Sequence, residues 1–191
     1  MRSLFTLATI LLASTLLASA QTSEEPGPPK PEQYAATAFI TSGPAQGKSV
    51  SVTIYINSYT SDQEVQNFLD ILKTKGQDGL ESAFDKTKER GRIAIVGTTG
   101  NSISFIRSHN AESKRVIRMA TNRIISFPEL WTSPRSRDYK FGVIELRLDA
   151  SGNGDGSILY ATKIKFNKKG ELELENYGQT PIRLANVRRE K

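Results

Sequence analysis

Residues 138–177 constrain the fold more than any other stretch, because polar and apolar side chains alternate along three consecutive segments. A period of two gives a β-strand one apolar face and one polar face. The positions that share a face are Ile144, Leu146 and Leu148, then Ile158, Tyr160, Thr162, Ile164 and Phe166, then Leu172 and Leu174. The pattern therefore predicts three consecutive antiparallel strands.

The turn between the second and third segments, Lys168–Gly170, predicts how these two strands pair. A three-residue loop with Gly170 in the left-handed region fixes one register. The cross-strand pairs are then Phe166 with Leu172, Ile164 with Leu174, Lys165 with Glu173 and Lys163 with Glu175. Each opposite-charge pair stabilises this register by a few tenths of a kcal/mol up to about 1 kcal/mol.

The first twenty residues have the pattern of an export signal. Arg2 precedes an apolar run over residues 4–17, and Ala18-Ser19-Ala20 places small residues at a cleavage site. An uncleaved anchor is the alternative, but hydroxyl residues interrupt the run, which is shorter than the roughly 20 residues of a membrane span. We therefore expect cleavage after Ala20, a periplasmic or secreted location, and no membrane span in the rest of the chain.

The chain contains no cysteine, which excludes disulfides, thiolate metal sites, cysteine nucleophiles and a lipid-modified N-terminal cysteine. Removing Arg2 with the signal lowers the formal net charge from +6 to +5. A chain of about 150 residues buries about 70% of its unfolded surface, which suffices for a core without cross-links. We expect a proline-rich tether at 21–33, a single domain at 34–187 and a charged tail at 188–191.

A helical period replaces the strand pattern after residue 60. Ser61 and Glu64 form a predicted capping box, and apolar residues then recur at helical spacing up to Gly76. A second amphipathic stretch runs from Asp78 to Gly91. Two short helices separated by a glycine-containing turn predict an αα-hairpin over residues 61–90 that covers the sheet.

Further strands are predicted on both sides of the hairpin. They are residues 36–40 and 49–56 before it, and 92–96, 102–107, 114–120, 124–127 and 182–187 after it. With the three central strands, this arrangement predicts an α+β fold: a mainly antiparallel β-sheet of eight to ten strands with one αα-hairpin inserted after the second strand. The pattern leaves an open sheet, a sandwich and a barrel as alternatives.

Two glycine-containing stretches resemble ligand-binding loops. Gly43 and Gly47 are separated by three residues rather than the four of a phosphate-binding loop, and a strand rather than a helix follows, which favours a hairpin turn. Residues 149–156 carry oxygen-bearing side chains at alternate positions, as calcium loops do, but the twelfth position is Tyr160 instead of a carboxylate. We interpret 149–156 as a long hairpin loop and keep calcium as the alternative.

No catalytic residue, metal site or cofactor is predicted. His109 is the sole histidine, which excludes a histidine-based zinc site, and no Gly-x-Ser-x-Gly elbow accompanies it. Two carboxylates facing each other across a cleft are the remaining route to an enzyme, a glycoside hydrolase. The candidate acids near irregular backbone are Glu129, Asp138, Glu145 and Asp155.

Arginines interleaved with aromatic residues between positions 114 and 140 form the predicted binding site. Such mixtures hold anionic or sugar-like ligands by stacking and by forked hydrogen bonds. Long loops often carry function, and loop 128–138 contains the sole tryptophan. The predicted ligand-binding residues are Trp131, Arg135, Arg137, Arg123 and Glu129. In the alternative interpretation, Trp131 plugs one end of the sheet and the arginines only keep the surface soluble.

A resemblance to other proteins rests on three runs: ATNRIISFPELW at 120–131, DYKFGVIELRLD at 138–149, and ENY followed by PIRL at 175–184. They resemble a group of exported bacterial proteins of unknown function, over roughly residues 49–187. The resemblance agrees with export and implies no activity.

These observations lead to two hypotheses of different classes. The first is a periplasmic or secreted, non-enzymatic domain that binds an anionic or carbohydrate polymer of the cell envelope through loop 128–138. The alternative is a hydrolase of envelope or exported polymers that uses paired carboxylates. Nucleic acid is disfavoured as a partner, because the chain carries 20 acidic residues and an export signal.

Overall fold

The computed structural model describes residues 30–42, 45–125, 138–166, 170, 172–176 and 180–190, and ten strands and one helix lie within these ranges. The strands are β1 (Glu32–Phe39), β2 (Ser49–Ile56), β3 (Gly91–Ile95), β4 (Asn101–Ile103), β5 (Phe105–Ala111), β6 (Lys114–Thr121), β7 (Phe141–Leu148), β8 (Gly154–Phe166), β9 (Leu172–Asn176) and β10 (Ile182–Arg189). The helix is α1 (Asp62–Lys86), which follows the second strand. The predicted α+β class is confirmed.

The strands form one antiparallel sheet that nearly closes into a barrel. Its order is β4-β3-β2-β1-β10-β8-β7-β6-β5, with β9 paired to the far half of β8. The end strands β4 and β5 are consecutive in the chain and separated only by Ser104, whose backbone N–H donates to the Ala120 carbonyl at 3.1 Å. One extended run therefore pairs with β3 through its first half and with β6 through its second, which brings the two ends of the sheet together.

The barrel interior is filled by side chains. Each inward position of β1, β2, β6, β7 and β10 is apolar along the middle of the strand, and among the most buried are Ile54, Ile93, Ile106, Ile117, Ile144, Leu146 and Leu184. An eight- to ten-stranded barrel is just wide enough for such a packed interior. The barrel is therefore a solid core rather than a channel, and a ligand must bind at an end or on the outside.

The register predicted for the last two strands of the meander is confirmed. Phe166 pairs with Leu172, Ile164 with Leu174, Lys165 with Glu173 and Lys163 with Glu175, and Gly170 has φ +78°. The predicted single apolar face of residues 158–166 is wrong. The pairing of β8 with β7 shifts by one residue between Leu159 and Thr162, and such a bulge exchanges the two faces of a strand. Ile158 therefore points into the barrel, whereas Ile164 packs under α1.

Helix α1 begins with the predicted capping box: the Ser61 side chain accepts from the Glu64 backbone, and the Glu64 side chain accepts from the Ser61 backbone at 2.9 Å. Residues 62–86 form one element, and non-helical backbone at Gly76, with φ +65° and ψ −161°, divides it into two helical stretches. The helix is therefore interrupted at the position where the sequence predicts the turn of the αα-hairpin. No helix in the described ranges combines the length and apolarity that crossing a membrane requires.

The kink in α1 supports a first prediction, for Gly76→Ala. Its backbone conformation is one that essentially only glycine adopts, at a cost of about 1–3 kcal/mol for other residues. A Cβ atom at Gly76 would touch nothing, so this backbone cost is isolated from any clash. We expect the free energy of unfolding, measured by urea denaturation, to fall by that amount. Thr74→Ala, at an exposed position two residues earlier, is the control and should leave the free energy of unfolding unchanged.

The helix covers the outer face of the barrel on the side of β5, β6, β7 and β8. Phe84, which is 3% exposed, is the centre of this contact. Its ring meets those of Phe68, Phe105 and Phe141 at centroid distances of 5.0, 6.4 and 5.8 Å. The structure thus has two apolar clusters, one inside the barrel and one between the barrel and α1.

Candidate functional site

A cleft of about 440 Å³ opens at one end of the barrel, and we call it the barrel mouth. It is lined by Tyr34, Asn110, Ser113, Lys114, Arg115, Leu148, Asp149, Ala150, Ser151, Gly152 and Arg189. These residues come from the end of β10, the start of β1 and the loops that join β5 to β6 and β7 to β8. The mouth therefore collects residues from distant parts of the sequence.

Strand periodicity explains why charged groups meet at the mouth. Glu32 and Tyr34 share the inward face of β1 with Ala36 and Ala38, and Arg115 shares the inward face of β6 with Ile117 and Met119. The apolar members of each face fill the barrel. Glu32 and Arg115 are the inward residues nearest the mouth on their strands, and they lie beyond the apolar core. Their polar side chains therefore meet at the end of the barrel.

Glu32 is the centre of the resulting network, with a side chain only 6% exposed. Arg115 donates to both carboxylate oxygens, from Nη1 to Oε2 at 2.8 Å and from Nη2 to Oε1 at 2.9 Å. Tyr34 donates its hydroxyl to Oε2 at 2.5 Å, and Tyr59 donates to Oε1 at 2.8 Å. Four hydrogen bonds thus compensate the buried charge, and the bidentate pair fixes the guanidinium plane.

The protonation state of the network is fixed near neutral pH. Burial raises the pKa of Glu32, but the hydrogen bonds from Arg115, Tyr34 and Tyr59 outweigh it and lower the pKa from 4.5 to about 2. Burial and the neighbouring Glu32 carboxylate raise the pKa of Tyr34 to about 12. The hydrogen bonds from Arg115 to Glu32 raise the pKa of Arg115. None of these groups exchanges a proton readily at neutral pH, so the network is a rigid floor rather than an acid–base pair.

A β-bulge turns Arg189 into the mouth. Strand β10 carries one extra residue at Ala185–Asn186 relative to both of its neighbours, and Asn186 has φ +52°. The extra residue places Val187 and Arg189 on the inward face, where strict alternation would place Asn186 and Arg188. Arg189 Nη2 lies 4.0 Å from Glu32 Oε2.

The glycine at position 152 makes room for the Arg189 stem. A Cβ atom at Gly152 would lie 3.0 Å from the Arg189 Cβ, and its φ of +82° also favours glycine. The aliphatic part of the Arg189 side chain therefore packs against the β7–β8 loop at Gly152. This packing places Arg189 in the lining of the mouth.

Two cations at the rim are only weakly paired. Arg189 and Lys114 each have side chains 49% exposed, and their nearest carboxylate oxygens lie 4.0 Å away on Glu32 and 3.8 Å away on Asp155. Both distances exceed that of a charge-assisted hydrogen bond. Much of their positive charge therefore remains available to a ligand.

The loop at 149–156, predicted as a hairpin loop with calcium binding as the alternative, is organised by its own hydrogen bonds. Asp149 Oδ1 accepts from the Ser151 backbone at 2.8 Å, the Ser151 hydroxyl at 2.6 Å and the Asn153 backbone at 3.1 Å, and these bonds lower its pKa. This geometry is that of an Asx turn in a hairpin loop. Within the described part of the chain, no three acidic or histidine residues cluster as a metal site requires.

Of the five ligand-binding residues predicted from the sequence, the structure describes only Arg123, which does not lie at the barrel mouth. Arg115 and Thr121 lie at opposite ends of β6, about 20 Å apart, and Arg123 follows Thr121 at the end away from the mouth. Arg123 is exposed there beside a second cleft that contains Asp78, Glu81 and Lys140 among its lining residues. The other four predicted residues, Trp131, Arg135, Arg137 and Glu129, lie outside the described residues, so that site stays a prediction.

The mouth does not follow from the sequence pattern, because the predicted proline-rich tether at 21–33 includes Glu32. In the structure β1 begins at Glu32, and Glu32, Tyr34, Ala36 and Ala38 alternate inward. That alternation is the signal that would have extended the strand to Glu32. The pattern predicts Arg115 on a strand, which the structure confirms, but it does not distinguish an inward arginine at a barrel end from a surface one.

Comparisons with protein-family models, curated proteins and solved structures give no match to this chain.

Proposed function

We propose that the protein is an exported, non-enzymatic domain that binds acid groups of an anionic cell-envelope polymer at the barrel mouth. The observation that carries the proposal is the pair of half-exposed, weakly paired cations, Lys114 and Arg189, above a floor already neutralised by the Arg115–Glu32 pair. The export pattern of residues 1–20 supports the location.

The chemistry of the mouth favours an anion over a neutral ligand. An arginine guanidinium offers a planar fork that matches carboxylate and phosphate oxygens, and a lysine ammonium adds a point charge. Ser113, Ser151 and Asn110 add hydroxyl and amide donors along the same cleft. A volume of about 440 Å³ lies within the range of about 300–1,000 Å³ that small-ligand sites occupy.

The hydrolase alternative receives less support. A glycosidase needs one carboxyl group with a raised pKa as its general acid. In the part of the chain that the structure describes, every carboxyl group with a resolved pKa shift is lowered: Glu32, Glu64, Asp78, Glu89, Glu145, Asp149 and Glu175. Glu145, a candidate acid, is held on the outer face between Arg118 at 2.7 Å and Arg147 at 2.8 Å.

The proposal predicts that Arg189→Gln weakens binding to a polyuronate. Polygalacturonate is a suitable probe, with dextran as its neutral counterpart, and titration calorimetry measures the dissociation constant. Loss of one charge-assisted hydrogen bond of about 1.5 kcal/mol gives about a tenfold weaker complex. Added salt should weaken the wild-type complex, because half-exposed charges are screened.

Arg183→Gln is the matched control for Arg189→Gln. Arg183 is exposed on the outer face of the same strand, where it pairs with Phe39, so the two variants lose the same charge from the same element. Polygalacturonate should bind Arg183→Gln and the wild type equally. Equal weakening by both variants would show that only the net charge of the protein matters, and would contradict a site at the mouth.

A further inference from the structure

We infer that the outer edge of β9 binds an extended peptide segment in which apolar and basic residues alternate, so that the segment adds a strand to the sheet. Among the described strands, β9 pairs with β8 and with no other. This surface is separate from the barrel mouth, because β9 pairs with the last residues of β8, whereas the mouth lies beside the loop that precedes β8.

A contact between β8 and α1 shows which backbone groups of β9 face outward. The Ile164 backbone N–H donates to Gln77 Oε1 on α1 at 3.2 Å, so it is directed away from β9. Ile164 and its partner Leu174 are therefore a non-hydrogen-bonded pair of the antiparallel ladder. Because the two kinds of pair alternate, the N–H and C=O groups of both Leu172 and Leu174 point to the outer edge. A further strand would pair with these four groups.

The side chains on one face of this edge are apolar and accessible. Leu172 and Leu174 are 53% and 44% exposed. They lie on the same face as Phe166 and Ile164, their partners on β8, which line a cleft of about 460 Å³ beside α1. A partner strand with apolar side chains on this face would therefore cover both leucines.

The opposite face of the ribbon is organised by charge. Lys165 lies opposite Glu173, and Lys163 lies opposite Glu175. A third strand with lysine or arginine beside the glutamates would continue this alternation, and opposite charges on neighbouring strands stabilise their pairing. Glu173 is the more available of the two acids, because Lys165 Nζ is 3.9 Å from it and lies closer to Glu175.

A second copy of the chain does not fit the same edge. Since the outward groups belong to Leu172 and Leu174, antiparallel self-pairing must set leucine opposite leucine. If Leu174 meets its own counterpart, Glu173 lies opposite Glu175; if Leu172 meets Leu174, Glu173 lies opposite its own counterpart. Like charges directly opposite each other destabilise a strand pair. The charge pattern therefore favours a basic strand from a different protein.

The test titrates the protein with a labelled peptide of alternating valine and lysine and follows binding by fluorescence anisotropy. Valines opposite Leu172 and Leu174 turn their own N–H groups toward β9. N-methylation of the valines removes these donors and should weaken binding about tenfold or more, whereas N-methylation of the lysines should leave the dissociation constant within about threefold. A peptide of alternating valine and glutamate should also bind about tenfold more weakly or worse.

Two variants with the same change of charge test the role of Glu173. Glu173→Gln should weaken binding of the lysine peptide about threefold at low ionic strength. Glu112→Gln is the matched control, because Glu112 is exposed in the turn between β5 and β6, and this variant should bind the peptide as the wild type does. Equal weakening by both variants would mean that only the net charge of the protein attracts the peptide, and would contradict a site at β9.

Amide hydrogen exchange locates the bound peptide. The backbone N–H groups of Leu172 and Leu174 should gain protection in the complex. Binding without this protection, equal weakening by the two N-methylated peptides, or no saturable binding at about 1 mM peptide would each overturn the inference. A dimer in sedimentation equilibrium with the same two amides protected would show that a second copy occupies the edge, and would overturn it as well.

Discussion

Glu32→Gln should lower the free energy of unfolding at pH 7 by about 2–4 kcal/mol. Removing one partner of a buried ion pair costs about 3–5 kcal/mol, and Arg115 is about one third exposed, so part of its charge is screened. A glutamine retains one acceptor for the two tyrosine hydroxyls. Its amide group, however, places donors where Arg115 also donates, which leaves the guanidinium without its bidentate acceptor.

Urea denaturation with a matched variant checks this expectation. Glu190→Gln removes a carboxylate from the surface pair with Arg188, and this should lower the free energy of unfolding by less than about 1 kcal/mol. A loss below 1 kcal/mol for Glu32→Gln, or losses of equal size in the two variants, would mean that the network at the mouth contributes little to stability.

The same variant should change the pH dependence of stability in a defined window. The pKa of Glu32 is about 2 in the folded chain against 4.5 ordinarily, so the unfolded state binds more protons between these values. The stabilisation is therefore fully present above about pH 4.5 and is lost as the pH falls through about 2. A shift of this size corresponds to about 3 kcal/mol. The difference in stability between wild type and Glu32→Gln should be constant from pH 5 to 7 and shrink below pH 4.5.

Phe84→Ala should lower the free energy of unfolding by about 3–5 kcal/mol, the usual range for deleting a buried aromatic ring. Phe84 is the ring on which the contact between α1 and the barrel converges, and its three aromatic neighbours lose their edge-on or stacked partner with it. The barrel interior is a separate apolar cluster, so α1 should lose more local stability than the barrel does.

Amide hydrogen exchange distinguishes this local effect from general destabilisation. Protection should fall more in α1 than in β1, β2 and β10, on the other side of the barrel. Phe39→Ala is the control, because Phe39 is 39% exposed on the outer face and should cost less than about 1 kcal/mol. Uniform loss of protection in both regions would show that helix and barrel unfold as one unit.

Local signals made much of the fold predictable. The capping box at Ser61 depends on residues three positions apart, and the pairing of β8 with β9 depends on a short loop and two strands that directly flank it. In both cases the residues that decide the structure are close in sequence. The antiparallel α+β class followed from the same period-two and helical patterns.

Features that depend on an added residue or on distant contacts were not predictable. The bulge between Leu159 and Thr162 splits what looks like one apolar face, and the bulge at Asn186 reverses the faces of the residues after it. At Gly76 the sequence predicts the end of one helix, and the structure has a break there inside a single element. The barrel mouth requires Glu32 to meet Arg115 across 83 positions, and no periodic pattern reports which strand ends converge.

The first and last strands of the described fold are neighbours, and the backbone N–H of Glu190 donates to the Gln33 carbonyl at 2.8 Å. The start of β1 and the end of β10 therefore lie side by side, near the cleft. A short linker would suffice to join them, and the turn between β3 and β4, away from the cleft, offers an exposed position for new ends. Such a circular permutant would carry an affinity tag or a fusion partner remote from the cleft, whereas a tag joined directly to the start of β1 or the end of β10 would crowd its entrance.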